Sequence, residues 1–267
     1  MSPSSMYEQP DIDVRADGAV RIITLNRPDT LNAFTEDLHE QFVAVWADVE
    51  RDEDCRAVVL TGAGRAFSAG GSYEDFEGRR VDQARRRRSL RLARRLADEM
   101  IEVAVPVVAA VNGPAVGLGC TVATLCDIVF MADDAHMADT HVGVALVAGD
   151  GGAVSWPAHT SLLRAKQYLL TGDRLDAATA VEIGLANFAV PGEDLLEEAV
   201  AFAQRLAAMP PQAVQETKAV LNQHLRANAV RALGYGLATE SQSHDTAEYA
   251  AWSDRLRPGT PGNSSSG

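Results

Sequence analysis

Four short apolar runs, 20–26, 57–60, 105–111 and 127–131, alternate with helical patterns along the first part of the chain, and from residue 161 onward the pattern is almost entirely helical. Strands that must bury apolar faces between helices give layered architectures, so this order predicts an α/β core followed by a helical region. Val20-Arg21-Ile22-Ile23-Thr24-Leu25-Asn26 reads as a strand that stops at Arg27-Pro28, and Thr35 opens a helix with the stripe Leu38, Phe42, Val45, Trp46 and Val49. The run 57–60 is a short buried strand that ends in the turn Thr61-Gly62-Ala63-Gly64, and 105–111 closes at Asn112-Gly113-Pro114. Residues 117–125 read as a tightly packed helix feeding the strand 127–131, and further helices are expected over 176–183, 193–209, 211–226 and 229–252.

With 267 residues, 46% of them hydrophobic, the chain can bury a full core as one large α/β domain or as one domain with a helical appendage. The formal charge of −13 and the absence of a basic, aromatic-interleaved stripe argue against nucleic acid as a partner. No apolar stretch reaches membrane-spanning length and residues 1–10 lack the pattern of a signal peptide, so the expectation is a cytoplasmic protein with no membrane partner. Cys55, Cys120 and Cys126 lack metal-ligand spacing and leave an odd thiol, which predicts buried reduced cysteines, no metal site and no tightly bound cofactor. Gly62-Ala63-Gly64 is too short for a dinucleotide fingerprint.

The chemistry concentrates between His141 and Gly152, where an imidazole and the Asp150 carboxylate lie nine residues apart beside a glycine run. Two earlier glycine-rich segments have the character of backbone anion holes. Amides that hold a developing negative charge, with a side chain that moves a proton, suit carbonyl chemistry. Simpler readings stand beside this one: a hydrogen-bonded structural histidine, an aspartate that caps the following helix, and glycines that permit tight turns. Asp139 and His136 are weaker candidates to support His141.

Four successive segments carry a resemblance: Arg65-Ala66-Phe67-Ser68-Ala69-Gly70-Gly71, the stretch Val107 to Cys120 with Asn112-Gly113-Pro114 and Gly117-Leu118-Gly119, then Cys126-Asp127-Ile128, and Leu170-Thr171-Gly172-Asp173-Arg174-Leu175. In this order they resemble the enoyl-CoA hydratase/isomerase, or crotonase, superfamily, from about Asp13 to about Trp252. The resemblance implies a spiral β-β-α core with a C-terminal helical region, and a homotrimer or dimer of trimers. It implies an acyl-CoA thioester substrate of fatty acid metabolism, with coenzyme A arriving as part of that substrate. The expected divisions are a flexible tail over 1–12, the core over 13–200, a helical assembly region over 201–256 and a flexible tail over 257–267. By the same resemblance the backbone N–H groups of Gly71 and Leu118 form an oxyanion hole, a device in which one donor contributes about 2.7–4 kcal/mol in another enzyme class. Ala33, Ala69, Ser72, Thr121 and Gly149 are expected to line the substrate pocket.

The acid–base positions depart from the family pattern. Hydratases of the family use two glutamates, and the matching positions here are Thr121 and His141. A threonine hydroxyl has no useful acid or base strength near neutrality, so ordinary two-glutamate hydration is not expected. Ser72 stands where an aspartate is common. The loop Val147-Ala148-Gly149-Asp150-Gly151 preceded by His141 resembles the β-diketone hydrolase members of the superfamily. Three readings follow: an enolate-forming acyl-CoA enzyme, a retro-Claisen hydrolase of a cyclic β-diketone using His141 and Asp150, and a catalytically weak acyl-CoA binding protein.

Arginines Arg79, Arg80, Arg85, Arg86, Arg87, Arg88, Arg91, Arg94 and Arg95 crowd one region of an otherwise acidic chain. Such a cluster can grip phosphate, and Arg79, Arg80 and Arg85 are the expected contacts to coenzyme A. The alternative is an amphipathic helix whose arginines pair with neighbouring carboxylates.

Overall fold

Runs of Val, Ile, Leu and Ala with no polar alternation can be buried on both faces only inside a sheet that helices cover on each side. The computed structural model, which describes residues 7–256, has this arrangement. The elements in chain order are β1 (Ile12–Asp17), β2 (Val20–Leu25), α1 (Glu36–Arg51), β3 (Ala57–Gly62), α2 (Tyr73–Val81), α3 (Gln83–Glu102), β4 (Val107–Val111), β5 (Ala115–Val116) and α4 (Leu118–Leu125). There follow β6 (Ile128–Ala132), β7 (His136–Ala138), α5 (Gly152–His159), α6 (Leu162–Thr171), β8 (Leu175–Asp176), α7 (Ala177–Ile183) and β9 (Phe188–Val190). The chain ends in α8 (Leu195–Ala207), α9 (Pro211–Leu221), α10 (Gln223–Ser243) and α11 (Ala247–Leu256).

The main sheet has the order β1-β2-β3-β4-β6-β9, parallel from β2 to β9, with β1 antiparallel at the edge. Ile22 pairs with Val59, Val59 with Val108, and Val108 with Ile128, so each apolar run lies in register with the next. A second, shorter sheet joins β5, β7 and β8. Isolated bridges Phe34–Gly71 and Ser68–Ala115 extend it toward the earlier turns. Successive turns of the chain thus lay down a long strand, a short β segment and a helix, which is the spiral β-β-α core with its C-terminal helical extension. The short segments matter most, because the candidate site lies just beyond their C-terminal ends.

Several boundaries differ from those expected. The stretch 1–12, read as a flexible tail, is packed from Tyr7 onward: Tyr7 is buried and its hydroxyl donates to Asp52 at 2.9 Å. The same carboxylate receives Arg21 through Nε at 2.6 Å and a second guanidinium N–H at 3.1 Å, a bidentate pair that anchors β2 to the end of α1. Residues 1–6 and the tail 257–267 lie outside the described residues. The expected division at 200/201 falls inside α8, the helix read over 211–226 ends at Leu221, and the one read over 229–252 is two helices broken near Asp245. The helices assigned to assembly also fold back on their own core: α10 packs on α5 and α3, and Tyr249 of α11 donates to the Phe76 carbonyl at 3.1 Å.

Candidate active site

Two backbone turns, Ala69-Gly70-Gly71 and Gly117-Leu118, line one cavity of about 170 Å³. In the first, Ser68 ties the loop after β3 to β5: its N–H donates to Pro114 O, its carbonyl accepts from the Val116 N–H, and its hydroxyl donates to Asn32 O at 2.8 Å. That fixes the Ala69-Gly70-Gly71 backbone against β5. In the second, Gly117 adopts φ 51° and ψ −120°, a conformation that suits glycine, and turns the chain from β5 directly into α4. Leu118 is therefore the first residue of a helix, where backbone N–H groups have no intrahelical acceptor and the helix dipole favours negative charge. Gly71 and Leu118 both line the cavity.

His141 follows β7 in a short helical turn and is buried between two carboxylates. Its Nδ1 lies 2.6 Å from Asp139 Oδ1 and its Nε2 lies 3.2 Å from Asp150 Oδ2. The Thr121 hydroxyl donates to the other Asp150 oxygen at 2.9 Å. Burial opposes a charge on the ring, but the Asp150 and Asp139 carboxylates outweigh it and hold the imidazolium well above the ordinary histidine range. Burial likewise works against ionised Asp150, and the neighbouring His141 charge and hydrogen bonds keep its carboxyl below the usual range. Histidine and aspartate act as one coupled pair, proton-loaded on the ring at neutral pH. Asp139, a weaker sequence candidate, proves to be the Nδ1 partner; His136 does not line the cavity. Asp150 does not cap α5, whose N-cap is Gly151 without a side-chain bond.

Of the expected pocket residues, Ala69 lines the cavity, whereas the other four do not. Thr121 sits behind Asp150 and orients it. Ser72 caps α2 by accepting from the Asp75 N–H and donates its own proton to the Asp75 carboxylate. Ala33 lies in the turn before α1, where its N–H is held by Thr30 O. Gly149 faces α10: a Cβ there would stand 2.3 Å from the Gly236 carbonyl oxygen.

The three arginines expected to meet coenzyme A differ in their surroundings. Arg85 of α3 binds Asp75 of α2 at 2.5 Å and Glu36 of α1 at 3.2 Å, and Arg80 binds Glu77 one turn away on α2 at 2.7 Å. Arg79 does line the cavity, 5.5 Å from the centre of the Phe76 ring. Arg87, Arg91 and Arg95 recur every four residues on the exposed side of α3, with no ionic partner within 4 Å among the described residues.

Two titratable cavity residues escaped the sequence reading. His39 of α1 is buried with Nε2 unpartnered, and burial together with the Arg79 charge lowers its pKa to about 4, so it is neutral. Glu240 of α10 is 6% exposed with Oε2 unpartnered. A signal existed for both, since each occupies the apolar face of its helix, His39 beside Leu38 and Phe42 and Glu240 one turn beyond Leu237 and two beyond Leu233.

The spiral core thus brings the Gly71 and Leu118 turns and the buried His141–Asp150 contact to one cavity. The chain belongs to the enoyl-CoA hydratase/isomerase family, whose sequence pattern matches residues 15–250. It is 32% identical over 228 residues to the short-chain-enoyl-CoA hydratase of Clostridium acetobutylicum, covering 84% of this chain and 86% of that one. An enoyl-CoA hydratase/isomerase structure from Mycobacterium paratuberculosis superposes with a TM-score of 0.89 at 49% identity, over 92% of this chain and 98% of the other. A β-diketone hydrolase from the cyanobacterium Anabaena, bound to (S)-3-oxocyclohexyl acetic acid, superposes with a TM-score of 0.83 at 27% identity, over 91% and 97% of the two chains. Among the described residues no helix is long and apolar enough to cross a membrane.

Proposed function

We propose that this protein converts a short acyl-CoA thioester through an enolate whose oxygen rests on the Gly71 and Leu118 amides, with His141 and Asp150 as the proton-transferring pair. The observation that carries this reading is the convergence of both amides and both side chains on one small cavity. The family relatives named for enoyl-CoA chemistry support the thioester. Thr121 at one of the two expected glutamate positions favours proton transfer within the acyl unit over addition of water. Arg79 at the cavity, and the exposed arginines of α3, supply positive charge where the phosphates of coenzyme A would approach.

Hydrolysis of a β-diketone is the second reading, favoured by the buried His141–Asp150 contact and by the similarity to the Anabaena enzyme. In it a water attacks one ketone, the carbon–carbon bond breaks, and the leaving enolate is protonated. A panel of enoyl-CoA thioesters of several chain lengths and cyclic β-diketones, assayed with the parent and Asp150→Asn, separates the two. Thioester turnover lost in the variant is the expected outcome. Diketone cleavage without acyl-CoA affinity would replace the first reading by the second, and tight acyl-CoA binding without turnover by either route would indicate a binding protein.

A homotrimer or dimer of trimers is the proposed assembly. It is supported by large apolar side chains left exposed on this single chain, among them Leu163, Leu170, Val220 and Val230. Sedimentation velocity is expected to show a species of at least three chains, and a monomer at micromolar concentration would reject the proposal.

A further inference from the structure

Loss of a carboxylate at position 121 leaves the site short of a proton donor in the place where the family pattern has one, and α10 brings a carboxylate in from another direction. Gly149 and Gly236 make this approach possible. Without side chains, the loop before α5 and the helix touch backbone to backbone, and a Cβ on Gly149 would also stand 3.0 Å from the Glu240 Cβ. Glu240 follows Gly236 by one helical turn, so the contact that joins loop to helix also sets Glu240 beside the residue preceded by Gly149, namely Asp150. The Glu240 side chain is buried, lines the cavity with His141, Asp150, Gly71 and Leu118, and has one carboxyl oxygen with no partner. Removing a buried polar atom from all hydrogen bonding costs about 1–3 kcal/mol, and the cost is larger for a carboxylate than for a neutral carboxyl, so this position favours Glu240 carrying a proton.

We infer that Glu240 is a catalytic proton donor to the enolate held by the two amides; this rests on the enolate reading above. In the step, a C–H bond forms at the substrate carbon as the Glu240 O–H bond breaks, and the electron pair of that bond stays on the carboxylate. The proton first removed from the substrate resides on the Asp150–His141 pair and returns to solvent, and Glu240 recovers a proton from solvent as product leaves.

The groups that face Glu240 decide whether it carries a proton at neutral pH. Asp139, His141 and Asp150 approach from the loops around β7 and α5, Arg79 from α2 and His39 from α1. Burial raises the Glu240 pKa, the His141 charge opposes and Asp150 adds to it, and the result is about 7. An acid of that strength is half-protonated near neutrality, where general acid catalysis is most effective.

The test uses the full-length protein, Glu240→Gln and Glu240→Asp, with α-proton exchange of butyryl-CoA in deuterated water and cleavage of a cyclic 1,3-diketone measured in parallel from pH 5.5 to 9. Glu240→Gln is expected to lose about 100-fold or more in kcat with KM changed less than about threefold, and Glu240→Asp to regain part of the loss. The parent rate is expected to fall as pH rises past about 7, because the protonated form is consumed, and this limb is expected to be absent from Glu240→Gln. A parent-minus-variant infrared difference spectrum is expected to show a protonated carboxyl band that vanishes over the same pH range. Parent-like kcat and pH profile in Glu240→Gln would overturn the inference, as would absence of that band at pH 6. Diketone cleavage lost in Glu240→Gln, with no thioester exchange in the parent, would reject the thioester while retaining Glu240 as the donor. A parent that processes neither substrate would overturn the inference together with the enolate reading on which it rests.

Discussion

Replacing His141 by alanine is expected to lower turnover by about 10³-fold and to destabilise the fold by about 3–5 kcal/mol. The two losses share one cause. Asp139 and Asp150 are both buried against the ring, at 2.6 and 3.2 Å, and without the imidazolium they face one another with no counter-charge. The pH dependence has a definite sign. A histidine whose folded pKa lies well above its unfolded value of about 6.5 stabilises fully below that value, and the contribution declines as pH rises through the folded pKa. Urea unfolding of parent and His141→Ala is therefore expected to show the largest gap near pH 6 and a narrowing gap toward pH 10. A gap independent of pH would show that the ring carries no charge in the folded state. Unchanged turnover in a well-folded His141→Ala protein would remove the residue from the proposed mechanism.

Gly149→Ala is expected to damage both fold and turnover, although the change adds one methyl group. The new Cβ would stand 2.3 Å from the Gly236 carbonyl oxygen and 2.6 Å from its carbon, both backbone atoms of a helix, so no rotamer relieves the overlap. Either α10 moves out or the loop carrying Asp150 moves away, at a cost of about 1–3 kcal/mol. A shift of about 1 Å at a reacting group can lower turnover by about 100-fold. Gly143→Ala supplies the control, since its Cβ would meet nothing within 4 Å and its φ is not left-handed. That variant is expected to stay within about 0.5 kcal/mol of the parent with its rate intact. Equal effects at the two positions, in melting temperature and kcat, would refute the close-approach account.

The long strands were legible because a buried strand of a parallel sheet needs an unbroken apolar run, and β2, β3, β4 and β6 each have one. Thr35 was legible as a helix start because its hydroxyl accepts from the Leu38 N–H, a bond that depends on three residues of local chain. Edge strand β1, Ile12–Asp17, was missed because it buries only Ile12 fully and carries Asp13, Arg15 and Asp17, so it is too polar to stand out. β5, β7 and β8, of two or three residues, have no periodicity to read. They exist because neighbours hold them, and they are what aim Gly71, Leu118 and His141 at one point.

His141 and Asp150 were identifiable from residue type and spacing, since nine residues of chain with a glycine run can bring an imidazole and a carboxylate together. Asp139 as the second partner, Thr121 as the support of Asp150, and the pairing of Arg80 and Arg85 with acids depend on angles between elements that no local pattern encodes. Glu240 lies 90 residues beyond Asp150, and a carboxylate on a helix reads as a solvated group until something buries it. By itself the sequence determined the core strands, the family and the amide turns, because hydrophobic periodicity, glycine conformations and motif order are properties of short segments. Only the tertiary structure decided which polar groups lose water together, because burial, charge pairing and the backbone contact of Gly149 with Gly236 arise when distant segments pack.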